Sequence, residues 1–391
     1  MNIMFADWKC FGKDDMKEAF ETLGHKVCFF PFSNDQPHHH EETETRITEQ
    51  IQKEKGDLLF SFNYFPILAF VAKACNIPYI SWVYDCPYVL LYSYTVIFPT
   101  NHIYIFDKTQ YSEFQKNGIH TIHYLPLAAN TARLGNMTDF DTFRASKWNP
   151  RKGVSFIGSL YTESHQFYDR LKNISAKTRG YLDGIMAAQK NVYGYNFIEE
   201  LLLPHIIDDM KKDLPLTPEA DSVATTEWLF AQYVINRQIT AEERSDYLGA
   251  VSSTFGLDLY TKNEAFSMEG VVNYGPVDYY DTAPYVFKES KINLNISLRS
   301  IHTGIPLRGF DIIGAGGFLL TNYQADFDDC FEQGVDYDFF SSKEELLYKI
   351  DYYLNHDKER SEIARNGYET TAKYHTYLQR AAQMLEDLKT P

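Results

Sequence analysis

Short apolar runs alternate with helical patterns in the first third of this chain and again in its last third, and this repetition limits its fold more than any other feature. A strand-length run followed by an amphipathic helix brings the chain back to the same edge of a sheet. Consecutive strands then lie parallel, with helices over both faces. Asn2–Ala6, Lys26–Pro31, Asp57–Phe62, Pro78–Tyr84, His102–Phe106 and His120–Leu125 read as strands. Between them, Asp14–Leu23 (closed by Gly24), about Thr43–Lys55, Pro66–Cys75 and Tyr111–Asn117 read as helices. With 391 residues the chain exceeds one ordinary core, and two domains are expected.

The polar stretch Asn136–Lys152 reads as the linker. Val154-Ser-Phe-Ile-Gly-Ser opens a second α/β domain. From about Ser164 to Thr254 the pattern is helical, most clearly at Ile198–Met210 and Glu227–Ile239. Strands return at Leu257–Tyr260, Val271–Tyr274 and Ile292–Ile296. Near the end, Ser342-Lys-Glu-Glu345 is a capping box, Gly367 reads as a helix interruption, and Tyr374–Leu388 is a last helix. The expected division is 1–135, a linker over 136–152, 153–375 with a helical insertion at about 190–254, and a C-terminal helix over 376–391.

Charge and cysteine content narrow the function. A net charge of −16 gains nothing from phosphate counterion release, so nucleic acid is not an expected partner. An odd number of cysteines without a Cys-x-x-Cys pair suits reduced thiols in a cytoplasmic protein. The N-terminus has no signal-peptide pattern and no run is long enough to span a bilayer. Peripheral membrane contact and homo-oligomerisation stay open.

The residues that carry chemistry cluster around position 300. Lys291-Ile-Asn-Leu-Asn-Ile-Ser297 alternates like a strand, and a polar loop follows to Gly304. Ile305–Ile313 reads as a short helix with Pro306 at its first position, ended by Gly314-Ala-Gly-Gly317 before the strand Phe318–Thr321. In open parallel sheets ligands bind beyond the carboxyl ends of strands, and amides at a helix start favour phosphate. Arg308 would add a charge-assisted contact, and Asp311, on the same helix face, would accept from ribose hydroxyls.

Arg308-Gly-Phe-Asp-Ile-Ile-Gly-Ala-Gly-Gly-Phe-Leu-Leu-Thr-Asn322, with Phe331-Glu-Gln-Gly-Val-Asp336 and Ser342-Lys-Glu-Glu-Leu346, resembles the C-terminal domain of group 1 glycosyltransferases. Within that group the CgeB-like (spore maturation protein) branch is most similar. Asp57–Phe62, Pro78-Tyr-Ile-Ser-Trp-Val-Tyr-Asp-Cys-Pro87 and Val154-Ser-Phe-Ile-Gly-Ser-Leu-Tyr161 resemble the same branch. The resemblance touches most of the chain except roughly 190–254. It implies the α/β GT-B architecture: two Rossmann-like domains with parallel sheets facing across a cleft, the donor held mainly by the second, and a last helix returning to the first.

It also implies a nucleotide-sugar donor, UDP- or dTDP-linked, as substrate, with no cofactor required. The donor set expected is Gly158, Ser159, Tyr161, Ser297, Arg299, Thr303, Gly304, Arg308 and Asp311. Asp311 matches a ribose-binding Glu of related enzymes. Retaining members carry a further Glu eight positions earlier, where this chain has Thr303, which favours inversion. An inverting transfer needs a base to deprotonate the acceptor hydroxyl. Asp85, just past an apolar strand, is the leading candidate; as a bland alternative it is a turn residue before Cys86-Pro87. His302 is second. Asp7 and the Phe11-Gly12 turn are placed on the acceptor side.

Other signals carry less. Asp139-Phe-Asp141, Asp326-Phe-Asp328 and Asp336-Tyr-Asp338 match the Asp-x-Asp pattern of metal-dependent transferases, but none follows a buried strand. They read as solvated turns, and no catalytic metal is expected. His38-His-His40 reads as a solvated loop. The function expected is therefore sugar transfer to a glycan, a lipid-linked or a protein acceptor. The rivals are a nucleotide-sugar epimerase of the same fold and a non-catalytic nucleotide-sugar-binding or scaffold subunit.

Overall fold

The computed structural model describes residues 1–162 and 166–389; Ser164, where the helical pattern of the sequence begins, and the last two residues of the expected 376–391 helix lie outside them. The chain divides into two compact units. The first comprises Met1–Ala128, Glu219–Ala224 and Tyr374–Pro391, and the second Ala129–Pro218 and Thr225–Lys373.

In the first unit, strands β1 (Asn2–Asp7), β2 (Lys26–Pro31), β3 (Leu58–Phe62), β4 (Tyr79–Val83), β5 (Asn101–Ile105) and β6 (Ile122–Tyr124) form a parallel sheet in the order β2-β1-β3-β4-β5-β6. Every residue of β3 and β4 is buried, as expected for strands covered on both faces. Aromatic edges fill the space between strands, with Phe5 4.7 Å from Phe60 and Phe60 5.5 Å from Phe62. The chain runs from β1 to β2 on one side and then crosses to β3 on the other. That reversal opens a crevice at the carboxyl ends of β1 and β3.

The helix Tyr377–Asp387 packs on this unit. Thr376 and Gln379 form its capping box, Tyr377 meets Trp82 edge-on at 5.6 Å, and Tyr104 donates to Asp387 at 2.9 Å. The hexapeptide Glu219–Ala224 also belongs here, although nothing in the sequence pattern shows it. Ser222 bridges Ser93, and the Asp221 carboxylate meets both Ser93 and His38 at 3.0 Å. His38-His-His40 is a loop with the His39 side chain 65% exposed, yet each of its rings has a partner. His38 holds this segment, His39 pairs with Glu44 at 2.6 Å, and the His40 ring caps the helix Glu41–Glu54.

In the second unit, β7 (Val154–Ile157), β8 (Leu257–Tyr260), β9 (Val271–Asn273), β10 (Ile292–Asn295), β11 (Leu319–Asn322) and β12 (Asp338–Phe340) form a second parallel sheet in the order β12-β11-β10-β7-β8-β9. Here the reversal falls between β7 and β10. The strand β12 was not anticipated, because three residues carry too little periodicity to read. The helices from Ala176 to Phe255 build a hydrophobic core of their own around Leu182, Ile198, Ile206, Met210, Phe230 and Ile239.

Several local expectations need correction. The pattern at Ile198–Met210 is two helices, because Pro204 starts a new one. The later pattern extends to Phe255 and passes through a π-helical stretch at Phe230–Ile235. Gly367 does not interrupt its helix, Asp357–Tyr374. A Cβ there would stand 2.3 Å from the Asp336 carbonyl oxygen, so glycine permits a close approach. Of the Asp-x-Asp pairs, Asp139 and Asp141 are both exposed, and so is Asp328. Asp326, Asp336 and Asp338 are buried; Asp336 accepts from Thr370, and Asp338 from Lys349 and Tyr353. Among the described residues no group of three metal-ligating side chains occurs.

Candidate functional site

The site is best built from the reversal in the second sheet. β7 ends in Gly158-Ser159-Leu160-Tyr161, and β10 ends in the loop leading to the helix Leu307–Gly314. That helix starts one residue later than Pro306 at its first position would imply; Pro306 is its N-cap. Its first amides have no intrahelical acceptor and lie at the positive end of the helix dipole.

Arg308 projects from this first turn. Its Nη1 donates to Asn295 Oδ1 at 3.2 Å, and its guanidinium sits 5.8 Å from the centre of the Phe156 ring. A Cβ at Gly158 would lie 3.1 Å from Arg308 Nη2, so glycine leaves room for the guanidinium at the end of β7. Arg308 Nε is buried and has no hydrogen-bond partner. A buried donor without an acceptor is costly and suits a site whose ligand supplies one.

Asp311 lies one turn along the helix and is buried. The Tyr279 hydroxyl donates to its Oδ2 at 2.9 Å. Burial pushes the Tyr279 phenol well up and the Asp311 carboxylate adds to the shift, so the phenol stays protonated and donates. Tyr279 therefore orients the carboxylate expected to receive the ribose, and no spacing rule in the sequence links the two residues.

The loop after β10 is held by its own polar network. Ser297 N donates to Asn322 Oδ1 at 2.7 Å, and Asn295 Nδ2 donates to Ser297 Oγ at 3.1 Å. Thr303 and Gly304 are buried, and the Thr303 carbonyl accepts from Asp326 N at 3.0 Å. His302, Ser297, Asn322 and Gln324 line a small cavity together with Asn196 and Tyr195 of the helical region.

Arg299 departs from its expected donor role. Its guanidinium forms a nearly buried ion pair with Glu243, with Nε 2.7 Å from Oε2, and donates to the carbonyls of Val192 and Lys190 at 2.8 and 3.1 Å. Arg244, which no sequence motif marks, works in a similar way. It is buried and donates to the carbonyls of Ile296 and Ser159, tying together the two strand ends at the reversal. An arginine within a helix has no local signature that marks it for this task. Ser159 Oγ accepts from Tyr161 N at 3.0 Å, and Tyr161 itself has a φ of 56°, the left-handed region.

In the first unit, the expected base is held by a residue that the sequence did not flag. Asn63 follows β3 with a φ of 56° and is buried. Its Nδ2 donates to Asp85 Oδ2 at 2.7 Å, and its Oδ1 accepts from the amides of Tyr84 and Asp85 at 3.1 and 3.3 Å. Desolvation raises the Asp85 pKa, with the Asn63 bond acting against it. A base with a raised pKa is a stronger proton acceptor once ionised.

Asp7 ends β1. Desolvation would raise its pKa, but the Lys13 ammonium at 2.8 Å and the Lys9 amide at 3.1 Å bring it below the usual value. Gly12 has a φ of 71°, and a Cβ there would lie 2.6 Å from the Tyr377 hydroxyl. What Gly12 contributes in the structure is thus close packing of the last helix, and its neighbour Phe11 is 51% exposed.

Comparison with known proteins fits this geometry. Residues 244–386 match the family model described as glycosyl transferase-like. No curated protein matches the chain in sequence. A glycosyltransferase from Rickettsia africae superposes with a TM-score of 0.54 at 11% identity, covering 99% of this chain and 97% of that one. HepE from Anabaena, solved with UDP and glucose, gives 0.52 at 12% identity over 100% of both chains. Sucrose-phosphate synthase from Thermosynechococcus elongatus gives 0.52 at 10% identity, over 100% and 98%. At such identities the likeness speaks for the fold, which is the GT-B fold of glycosyltransferases.

Proposed function

We propose that this protein is an inverting glycosyltransferase that moves a sugar from a UDP- or dTDP-linked donor to a glycan, lipid-linked or protein acceptor. The observation that carries this reading is the reversal between β7 and β10. There an arginine with a buried, unpartnered Nε stands over Gly158, at the start of a helix that also carries a buried carboxylate. Arg308 and the helix amides suit a diphosphate, and Asp311, oriented by Tyr279, suits the ribose hydroxyls. HepE, which shares the fold, was solved with UDP and glucose, which supports a nucleotide-sugar donor.

In the proposed reaction Asp85 takes the proton of the acceptor hydroxyl. The oxygen attacks the anomeric carbon as the bond from that carbon to the diphosphate oxygen breaks. A single displacement inverts the anomeric centre. Thr303, at the position where retaining relatives carry a carboxylate, offers no second nucleophile. The leaving diphosphate gains negative charge, and Arg308 with the helix amides would meet that charge without a metal. The further expectations of a cytoplasmic location and no required cofactor belong to the same proposal.

Thermal shift against a panel of nucleotide sugars tests the reading. A ligand at a hundred times its Kd stabilises the folded state by about 2.7 kcal/mol, so a UDP or dTDP sugar should raise the melting temperature measurably. A flat response across UDP, dTDP and GDP sugars would overturn it. Turnover of the donor alone, with no acceptor added, would point to epimerisation instead.

A further inference from the structure

Four arginines converge on the ends of β7 and β10, and they differ in what they are bonded to. Arg244 and Arg299 are satisfied within the protein, the first by the carbonyls of Ser159 and Ile296, the second by Glu243 and two carbonyls. Among the described residues Arg308 bonds only Asn295 and keeps a buried Nε without a partner. Arg237, in the first turn of the helix Asn236–Phe255, has an unpartnered buried Nε as well. Among the described residues it pairs with no carboxylate, and its guanidinium lies 5.2 Å from the Tyr233 ring and 5.9 Å from that of Tyr161.

The aromatic rings connect these cations. Arg244 lies 4.9 Å from the Tyr161 ring and 5.4 Å from that of Phe156; Arg308 shares Phe156 and Arg237 shares Tyr161. The wall at the end of β7 therefore carries two guanidiniums with unused donors on either side of one that is fully engaged. Tyr161 takes up its place with a left-handed backbone, a conformation that tyrosine adopts at a cost. Arg237 lies two residues past the π-helical stretch Phe230–Ile235, whose Gln232 carbonyl accepts from Ser300 Oγ at 3.0 Å and so ties it to the loop after β10.

Like charges gathered in an apolar surround are unfavourable unless something neutralises them. The chain as a whole is strongly acidic, yet among the described residues no carboxylate is paired with Arg237 or Arg308. A terminal diphosphate carries more than one negative charge at neutral pH, more than a single arginine can balance. We propose that Arg237, supplied by the helical region, is the second cation of the donor site and shares the diphosphate with Arg308. This inference rests on the glycosyltransferase reading above and adds a residue that it did not contain.

The test is calorimetric titration of wild type, Arg237→Ala, Arg237→Lys and Arg308→Ala with UDP, UMP and inorganic pyrophosphate. Loss of a charge-assisted bidentate contact should weaken UDP and pyrophosphate by about ten- to a hundredfold, and UMP by much less. Arg237→Lys should recover part of the affinity, since it keeps the charge and loses the fork. Arg237→Ala also relieves an unsatisfied buried donor, so the ligand-free protein should melt no lower than wild type while its UDP-induced shift shrinks. Undiminished UDP affinity in Arg237→Ala, or an equal loss for UMP and UDP, would overturn the proposal and leave the glycosyltransferase reading standing. Failure of wild type to bind any nucleoside diphosphate would remove that reading itself.

Discussion

The two sheets share a parallel order with one reversal each, and the residues just past their strand ends have opposite chemistry. In the first unit the ends of β3 and β4 bring Asn63 to Asp85, a carboxylate with a raised pKa and an amide that orients it. In the second, the ends of β7 and β10 bring together Arg308, Arg244 and Arg237 around two aromatic rings. In the proposed function one strand topology thus serves two tasks, proton acceptance in one unit and anion binding in the other. The difference lies in a few side chains at the strand ends, because the strands themselves are packed apolar core.

Asp85→Asn should separate the two tasks most sharply. Turnover is expected to fall by about a hundred- to ten-thousandfold, the usual contribution of a general base, with UDP binding unchanged. In wild type, activity should rise with pH as Asp85 ionises, on a limb shifted up from the usual aspartate value. A folded-state pKa above the unfolded one means that Asp85 favours folding at low pH, and that this contribution is lost as pH rises through its folded pKa. Asp85→Asn should therefore melt no lower than wild type at neutral pH. A variant that keeps full turnover would break the comparison.

Arg299→Ala comes next. It leaves Glu243 buried without its partner and should cost about 3–5 kcal/mol of stability, seen as a lowered urea midpoint. Arg308→Ala should instead spare stability and weaken UDP by about ten- to a hundredfold in titration. If the two variants behaved alike, the distinction between spent and unspent arginines would fail. Gly158→Ala is the smallest step. Its Cβ would crowd a flexible guanidinium at 3.1 Å, and about a threefold loss of UDP affinity is expected, within the range of a mild substitution. A loss as large as that of Arg308→Ala would show that the backbone at Gly158 matters beyond making room.

The sequence by itself determined the class of fold and most of the strands. Lys26–Pro31 and Leu257–Tyr260 are bounded in the structure as the sequence pattern bounds them; Leu257–Tyr260 is buried throughout, as a strand covered on both faces must be, while Lys26–Pro31, at the sheet edge, is mostly half-buried. It also drew attention to Arg308 and Asp311, because a strand, a polar loop and a short helix lie in one continuous stretch. Tertiary structure decided what crosses long sequence distances. Asn63 reaches Asp85 across 22 residues, Tyr279 reaches Asp311 across 32, and Arg244 reaches Ile296 across 52. It also decided that Arg299 is bonded internally while Arg308 and Arg237 keep open donors. Periodicity reports only which face of an element is buried, whereas the partner of a buried charge depends on which elements the fold brings side by side.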